Sequence, residues 1–377
     1  MTFKIAVVAS VGPADDHRYF YKEIGALTRA GWSVNFFCRD NPPDVFDNLT
    51  CTVLPKSVRR LTRLTGGLNL LKKILSWKPD AVQICSVEFL PLAIIVAQFT
   101  KVRVFYDCRE DMPTSLLEHK TEIPTFFRYI LSKSTLFMEY WGAKIFSGIS
   151  VSDHWLEKKY NKWGAGNCFL FPNFPRLEDF NGGQGEKNDA PKKADFCILG
   201  SMSRRTGVVE FVEALSILRR DTGWNGTARL VGDPGRELAL ELSAMAREAG
   251  IQLEIVGRVP YKRVPEELSA CKVGVIPLKD MRKFHRNPAT KMFEYAAAGL
   301  YIVATDLPPQ RRYLENVAFA VLVKPDSATD LAVGMRKALD LQVADPEGLM
   351  PRSRFLADWN ADSLYSELTA YYGRGLA

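Results

Sequence analysis

A chain of 377 residues, 47% of them hydrophobic, is too long for one ordinary domain and can bury two sizeable cores. The formal net charge of +7 favours anionic partners, either phosphorylated small molecules or an acidic membrane surface. Nucleic acid is disfavoured as a partner, because the basic residues are dispersed and form neither a finger spacing nor an aromatic-basic RNA signature.

Several kinds of site and compartment are also disfavoured. The seven cysteines are odd in number and include no C-x-x-C pair, which predicts reduced thiols in a cytosolic protein. Met1 leads directly into the strand-like KIAVVAS without a basic n-region, so we do not expect secretion, and the apolar stretch 89–99 is too short to span a bilayer. The absence of D-x-D and of spaced histidines predicts no bound metal, and the absence of G-x-G-x-x-G disfavours a nicotinamide or flavin cofactor.

Residues 1–175 alternate short β-branched runs with helical patterns, which predicts a first doubly wound α/β domain. Its expected strands are KIAVVAS, SVNFFC, AVQIC and VRVFY, with helices around 17–30, 66–76, 88–99 and 124–142. The stretch 176–193 is polar and rich in Gly and Lys, which predicts an interdomain linker.

The alternation of short β-branched runs with helical patterns resumes over residues 194–351 and predicts a second α/β domain of similar size. Residues 352–377 have helical spacing, and we expect this C-terminal helix to cross back and pack over the domain junction. The predicted fold is therefore α/β, with two facing doubly wound Rossmann-like domains. Ligands of such sheets bind beyond the carboxyl ends of the strands, so we expect the site in an interdomain cleft.

In the first domain, two strand ends carry candidate residues. Gly12 follows the first strand, where a glycine lets backbone N–H groups approach a phosphate or sugar. The segment YDCRED at 106–111 places Arg109 and Glu110 at another strand end, where a side chain could orient an acceptor hydroxyl or accept a proton. An ordinary charged loop is an equally good interpretation of this segment.

In the second domain, ILGSMSRRTG at 198–207 forms a strand followed by a turn with Gly200 and Ser201 and then the guanidinium groups of Arg204 and Arg205. Two guanidinium groups at a strand-to-helix turn can grip a diphosphate bidentately. The alternative is a solvated basic turn, since pairs of surface arginines are common.

The segment NPATKMFEYAAAG at 287–299 predicts a short helix with Asn287 as N-cap and Gly299 at its end. Lys291 and Glu294 share one face of this helix, so a cation and a carboxylate stand near its N-terminus. That pair suits a ligand with phosphates and hydroxyls, although a surface helix with one exposed ion pair would show the same spacing.

With these segments in order, the chain resembles the family 4 glycosyltransferases of GT-B fold over nearly its whole length. The second domain carries the more specific likeness, in the ordered blocks ILGSMSRRTGVVEFVEAL, ARLVGDP, IVGRVPYKRVPEEL, KVGVIPL and NPATKMFEYAAAGLYIVATD. In the first domain, DDHRYFYKEIGALTRAGW, VFYDCRED and LFPNFP are similar to segments of one subgroup.

The resemblance implies a retaining transferase whose second domain holds a nucleoside diphosphate sugar, of UDP or GDP type, without a metal. By that likeness Glu294 binds the ribose, Arg204 and Arg205 bind the diphosphate, and Lys291 lies near the phosphates or sugar. The backbone of Gly257, Arg258 and Val259 contacts the base, and Asn287 and Thr290 belong to the same binding segment.

Three positions depart from the family pattern. A second family glutamate is replaced at or near Arg286, the basic residue before the helix glycine is Thr206, and a subgroup histidine is Arg109. A catalytic histidine is therefore not carried over from the family.

The stretch 58–78 combines six basic residues with Leu, Ile and Trp, which predicts contact with an anionic inner membrane surface. A core-packed helix with a basic outer face is the alternative. The family resemblance together with this stretch predicts a cytoplasmic hexosyltransferase of polysaccharide biosynthesis that acts on a glycan or lipid-linked hydroxyl and is peripheral at the inner face of the membrane if 58–78 makes that contact. Alternatives are a nucleotide-sugar epimerase or phosphorylase of the same fold, and a non-catalytic pseudo-transferase that binds a glycan or a protein.

Overall fold

The computed structural model describes residues 3–9, 14–42, 46–54, 60–119, 123–180, 193–345 and 349–376, with side chains omitted at 60–66, 68, 119 and 349–351. The chain forms two units. The first comprises residues 1–173 and 364–377, and the second comprises residues 174–363. The C-terminal segment therefore belongs to the first unit.

The first unit is built on a parallel sheet of seven strands in the order β3-β2-β1-β4-β5-β6-β7. The strands are β1 Lys4–Ala9, β2 Ser33–Cys38, β3 Leu49–Val53, β4 Ala81–Ile84, β5 Arg103–Cys108, β6 Gly148–Val151 and β7 Cys168–Leu170. The chain runs outward from β1 to β3 and then returns to place β4 on the other side of β1, so the topological switch lies between β1 and β4.

Helices cover both faces of this sheet. They are a π-helix at His17–Ile24, then α1 Gly25–Arg29, α2 Arg60–Ser76, α3 Leu90–Phe99, α4 Met112–His119, α5 Thr125–Ile145, α6 His154–Lys162 and, from the end of the chain, α15 Tyr365–Leu376. Alternate residues of β1 enter two separate cores, Ile5 and Val7 on one face and Ala6 and Val8 on the other. The period of two of a strand therefore produces a doubly covered sheet.

The second unit repeats this plan with six parallel strands in the order β10-β9-β8-β11-β12-β13. The strands are β8 Ala194–Leu199, β9 Thr227–Val231, β10 Gln252–Ile255, β11 Cys271–Ile276, β12 Tyr301–Thr305 and β13 Ala320–Val323. The helices are α7 Leu177–Phe180, α8 Val208–Thr222, α9 Arg236–Glu248, α10 Val264–Ser269, α11 Lys291–Ala297, α12 Pro308–Leu314, α13 Ala328–Ala344 and α14 Leu349–Asp358. The switch point lies between β8 and β11.

The predicted α/β class with two parallel-sheet domains is confirmed, and several local predictions change. The helix expected at 17–30 begins as a π-helix, and the short strand β3 was not predicted. The stretch 352–377 contains two helices, because Asn360 interrupts it by donating to Leu356 O and accepting from the Ser363 N–H. Leu368, Tyr371 and Tyr372 of α15 then enter the core of the first unit.

The helix expected at 287–299 is shorter than predicted, and Asn287 as its N-cap is wrong. Helix α11 starts at Lys291, and its N-cap is Thr290 without a side-chain cap. Pro288 disfavours helical dihedrals at the residue before it, so Asn287 ends the preceding turn instead. The predicted end is confirmed, because Gly299 has φ +78° just before β12.

Candidate functional site

The turn after β8 presents the two predicted arginines. Arg204, Arg205 and Thr206 form a short 3-10 turn, held by Ser203, whose hydroxyl accepts from the Thr206 N–H while Thr206 Oγ1 accepts from the Ser203 N–H. Gly207 ends the turn at φ +76°, and a Cβ there would lie 1.7 Å from Pro277 O. The backbone of the turn therefore packs closely against Pro277, at the end of β11.

The two guanidinium groups of this turn lie at the surface. Arg204 forms an ion pair with Glu241 of α9, and its side chain is 64% exposed. Arg205 and Ser201 are also exposed, whereas Gly200 is partly buried. An exposed ion pair contributes little to stability, so Arg204 can exchange its carboxylate partner for a ligand anion at small cost.

Helix α11 is fixed beneath the ends of β8 and β11 by one tyrosine. Tyr295 is buried, and its hydroxyl accepts from the Leu199 N–H at 2.9 Å and donates to Val275 O at 3.4 Å. Met292 and Phe293 are buried beside it. These contacts fix the position of Lys291, on the first turn of the helix.

Lys291 lies directly against the turn after β8. At Gly200, with φ +96°, an added Cβ would stand 2.9 Å from Lys291 Cε and 3.3 Å from Nζ. Because Gly200 has no side chain, the Lys291 side chain can pack against the backbone at this position. Two segments 91 residues apart in sequence meet here at the switch point between β8 and β11.

The ammonium group of Lys291 is held in an unfavourable environment for a charge. Desolvation by burial lowers the pKa of Lys291 from its ordinary value to about 8, although the nearby carboxylate of Glu294 acts to raise it. A polyanionic ligand at this point would stabilise the charged lysine and restore a higher pKa. Without a ligand, the protein therefore stabilises the positive charge of Lys291 poorly.

The remaining predicted residues of the second unit lie at the same edge of the sheet. Gly257, Arg258 and Val259 follow β10, and Asn287 and Thr290 lie in the segment that leads into α11. Two strand spacings separate β10 from β8, so the loop after β10 is roughly 10 Å from the β8 turn. The structure brings Gly200, Lys291 and Glu294 into one cluster, with the arginine turn adjoining it.

In the first unit, the strand-end charges are largely paired with one another. Arg18 of the π-helix, 1% exposed, donates to both carboxylate oxygens of Asp107, at 2.7 Å from Nη2 and 3.0 Å from Nε. Asp107 also accepts from Ser150 Oγ at 3.0 Å, and Arg18 donates to Phe171 O. The π-helix is therefore joined to β5, β6 and the segment after β7 through buried charges.

A second buried carboxylate stands on the same π-helix. Glu23 Oε1 accepts from Tyr372 Oη at 2.6 Å and from Gln83 Nε2 at 3.2 Å. Burial raises the pKa of Glu23 to about 8, and the charge of Asp107 adds to this effect. Glu23 is therefore mostly protonated near neutral pH.

The predicted residues Arg109 and Glu110 have partners within the first unit. Arg109 donates to Asp16 at 3.0 Å, and Asp16 also caps the π-helix by accepting from the Arg18 and Tyr19 N–H groups. Glu110 accepts from Ser115 Oγ at 2.9 Å. Arg109 remains 31% exposed, so it can reach a ligand. The predicted Gly12 lies outside the described residues.

Within the described part of the chain, one trio of metal-capable side chains comes close together. The ligand atoms of Glu23, Cys85 and Asp107 lie within 4.8 Å of one another. The Asp107 carboxylate is already engaged by Arg18 and Ser150, and burial raises the pKa of both Glu23 and the Cys85 thiol. A cation would have to displace a buried arginine and two protons, so we interpret the trio as part of the charge network.

The buried charges of the π-helix were not predicted from the sequence. Arg18, Lys22 and Glu23 flank the aromatic run YFY in HRYFYKEI, and all three are at most 1% exposed. Three charged residues within an otherwise aromatic run were the available signal for a buried network. Their partners, such as Asp107 and Asn173, are too distant in sequence to be identified from spacing.

Comparison with known proteins finds one family model that matches part of the second unit. Residues 184–350 match the family model described as glycosyl transferases group 1. No curated protein matches the sequence at a significant level.

Solved structures with a similar fold align over almost the whole chain. A sucrose-phosphate synthase from Thermosynechococcus elongatus has 16% identity and a TM-score of 0.72, covering 99% of this chain and 98% of that one. HepE of Anabaena in complex with UDP-glucose has 12% identity and a TM-score of 0.71, covering 98% and 99%. At these identities the likeness shows the fold, which is GT-B with two Rossmann-like domains.

Proposed function

We propose that this chain, whose residues 184–350 match the family model of group 1 glycosyl transferases, is a retaining and metal-independent hexosyltransferase. Its donor would be a nucleoside diphosphate sugar, and its acceptor a hydroxyl of a glycan or lipid-linked sugar. The observation that carries the proposal is the contact of Lys291 with Gly200 beside Glu294, at the switch point of the second sheet.

In this proposal the second unit holds the donor. Lys291, Arg204 and Arg205 neutralise the diphosphate, and the N–H groups around Gly200 and Ser201 approach its oxygens. Glu294 accepts hydrogen bonds from the ribose hydroxyls. The loop at 257–259 contacts the base, and Asn287 and Thr290 line the same wall. For Arg204, binding means exchanging Glu241 for a phosphate.

The chemistry would depend on stabilising the leaving group. As the sugar departs, negative charge develops on the diphosphate, and the cationic side chains of Lys291, Arg204 and Arg205 lower the energy of that state. Lys291 is suited to this role because its pKa of about 8 leaves most of its population charged at neutral pH, in an environment of poor solvation. The charges come from side chains, so no metal is needed in this scheme.

In the first unit we propose that Arg109 and Glu110 orient the acceptor hydroxyl. Arg109 is partly exposed and is held by Asp16, so its position is fixed before a ligand arrives. Contact of the stretch 58–78 with an anionic membrane would bring a lipid-linked acceptor to this unit. We infer a UDP donor first and GDP second, because HepE and a trehalose-6-phosphate protein of E. coli of the same fold were solved with UDP-glucose and UDP-2-fluoro glucose.

A thermal-shift panel of nucleoside diphosphates tests the proposal. One diphosphate at 100 times its Kd should stabilise the folded chain by about 2.7 kcal/mol, and the others should have little effect. Glu294→Gln should weaken this shift, whereas Glu248→Gln, at the exposed end of α9, should not. If no diphosphate stabilises the chain, a non-catalytic pseudo-transferase becomes the better interpretation.

Incubation with the donor alone separates transfer from epimerisation. An epimerase changes the sugar without an acceptor, whereas a transferase releases sugar only slowly until an acceptor is added. The anomeric configuration of the product, measured by NMR, tests retention.

A further inference from the structure

Helix α5 exposes an unusual number of large apolar side chains. Phe126 is 70% exposed and Phe137 is 65% exposed. Other apolar or aromatic residues of this helix are at least 41% exposed, namely Phe127, Tyr129, Ile130, Leu131, Tyr140 and Trp141. A contiguous patch of exposed apolar side chains on a protein surface usually marks an interaction site.

Six of the exposed residues form one stripe along the helix. Positions 126, 130, 133, 137, 141 and 144 are spaced by three or four residues, which places them on a single helical face. The 21 residues of α5 extend this face over about 31 Å. The rings of Phe137 and Trp141 stack on it with centroids 6.4 Å apart. We call this stripe the α5 face.

Neighbouring helices add to the same side of the first unit. Helix α3 packs against α5 and exposes Ile95 and Phe99, the latter by 79%. Helix α2 contacts α3 in the same helical layer, and its Lys72 and Lys73 point outward. An apolar surface flanked by cations therefore covers this side of the sheet.

The charges on the α5 face are all of one sign. Lys133 lies over the Tyr129 ring at 5.4 Å, and Lys144 lies over the Tyr140 ring at 5.5 Å. Glu139 is the one carboxylate in the sequence of α5, and it is buried against Lys159. The face therefore combines aromatic side chains with lysines and presents no carboxylate to a partner.

Stretch 58–78 behaves differently where its side chains are described. Leu70 and Ile74 are buried in the core of the first unit, and Trp77 packs against that core. Lys72 and Lys73 are exposed. This part of α2 offers cations without an apolar surface, so it supplies electrostatic attraction and not insertion.

We propose that the α5 face docks the protein on the surface of an anionic lipid bilayer. Aromatic residues with interspersed lysines are suited to the boundary between headgroups and acyl chains. There the rings insert among the acyl chains and the ammonium groups contact anionic headgroups, and both contacts lower the free energy of membrane binding. A second copy of the chain fits less well, because an isologous contact would oppose Lys133 and Lys144 with no carboxylate to pair them. Among the described residues, no helix is long and apolar enough to cross a bilayer.

The inference concerns where the proposed peripheral contact is made and needs no transferase activity. Vesicle flotation with the full chain tests it, using vesicles of phosphatidylcholine alone or with phosphatidylglycerol. The wild type should float with the anionic vesicles and lose binding as salt rises. The double variant Phe137→Glu with Trp141→Glu should lose at least about tenfold in affinity, because two inserting rings become charged.

Matched variants separate the α5 face from other surfaces. Leu240→Glu replaces an equally exposed apolar residue of the second unit and should leave vesicle binding unchanged. Lys72→Glu with Lys73→Glu should weaken binding less than the α5 double variant. The proposal is overturned if the α2 variant abolishes binding while the α5 variant binds normally.

Two further outcomes would also contradict the proposal. The first is a wild type that does not bind anionic vesicles at low salt. The second is a lipid-free dimer, measured by sedimentation, that Phe137→Glu converts to monomers. Nucleoside diphosphate binding, measured on the same variants, should stay at the wild-type value, so failure of the docking surface is distinguishable from failure of the proposed activity.

Discussion

The charged side chains at the strand ends are buried and paired in the first unit, whereas in the second unit they are exposed or poorly stabilised. In the first unit, the Arg18 and Asp107 side chains are 2% and 0% exposed and satisfy each other. In the second, the Arg204 side chain is 64% exposed, and Lys291 is poorly solvated beside Glu294. Paired buried charges hold a fold, whereas cations with weak protein partners are available to a ligand. The same type of sheet edge thus serves structure in one unit and binding in the other.

The sharpest test of this difference compares two arginines. Arg18→Met should destabilise the first unit by about 3–5 kcal/mol, because it leaves the Asp107 charge buried without its partner. Arg204→Met should change stability by less than about 1 kcal/mol, since its ion pair is exposed. Urea unfolding followed by circular dichroism measures both. Equal effects of the two substitutions would remove the distinction between the units.

Lys291→Met should separate binding from stability. Nucleoside diphosphate affinity should fall by about 10- to 100-fold, which matches the loss of one charged hydrogen bond. At pH 7 the variant should be more stable than the wild type by about 1–2 kcal/mol, because the wild type holds a desolvated ammonium, with a lowered pKa, on a half-buried residue. Calorimetry and thermal melting provide the two measurements.

The sign follows from proton linkage. The pKa of Lys291 is lower in the folded than in the unfolded chain, so the unfolded chain binds more protons between pH 8 and 10.5 and wild-type stability rises over that range. The stability gain of the Lys291→Met variant should therefore shrink as pH rises. Lys337→Met, on the exposed side of α13, is the matched control and should show neither effect.

Glu23→Gln tests the protonated carboxyl of the first unit. The pKa of Glu23 rises on folding to about 8, so the folded chain binds more protons between pH 4.5 and 8 and stability falls as pH rises over that range. The substitution should remove a slope of up to about 1.4 kcal/mol per pH unit, since glutamine keeps the oxygen that accepts from Tyr372. An unchanged pH profile of unfolding would show that Glu23 is ionised in the folded state.

Gly200→Ala should affect binding less than Lys291→Met does and should destabilise the fold modestly. The new Cβ would press on Lys291 Cε, and alanine at φ +96° adds strain of about 1–2 kcal/mol. The lysine must shift, so we expect a loss of about threefold to tenfold in diphosphate affinity. Gly223→Ala, also at positive φ but with open space around it, is the control for strain alone.

Much of the fold could be predicted from sequence because its strands are short β-branched runs between helical patterns. The edge strand β3 was missed, since its half-exposed LTCTV run lacks a continuous apolar signal. A helix was predicted around 17–30, but its π geometry and its buried charged residues were not, because burial of charges contradicts the usual amphipathic pattern. Local rules also misplaced the start of α11, since Asn-Pro resembles a helix start even where the chain forms a turn.

The candidate site was predictable only in part. The positions of Arg204, Lys291 and Glu294 followed from strand ends and family likeness, because parallel strands bring their carboxyl ends to one edge. The contact between Lys291 and Gly200 depends on α11 being tied to β8 and β11 through Tyr295, which spacing does not reveal. Pairing of Arg18 with Asp107 likewise requires the three-dimensional fold, because 89 residues separate the two.

Proton uptake during nucleoside diphosphate binding tests the central claim most directly. Calorimetry at pH 8.5 in buffers of different ionisation enthalpy gives the number of protons bound with the ligand. In the chain without ligand the pKa of Lys291 is about 8, so most of these lysines are neutral at pH 8.5 and become protonated when the diphosphate binds. We therefore predict that the wild type takes up more than half a proton and that Lys291→Met takes up none. Tight binding without proton uptake by the wild type would show that Lys291 does not meet the diphosphate and would contradict the account.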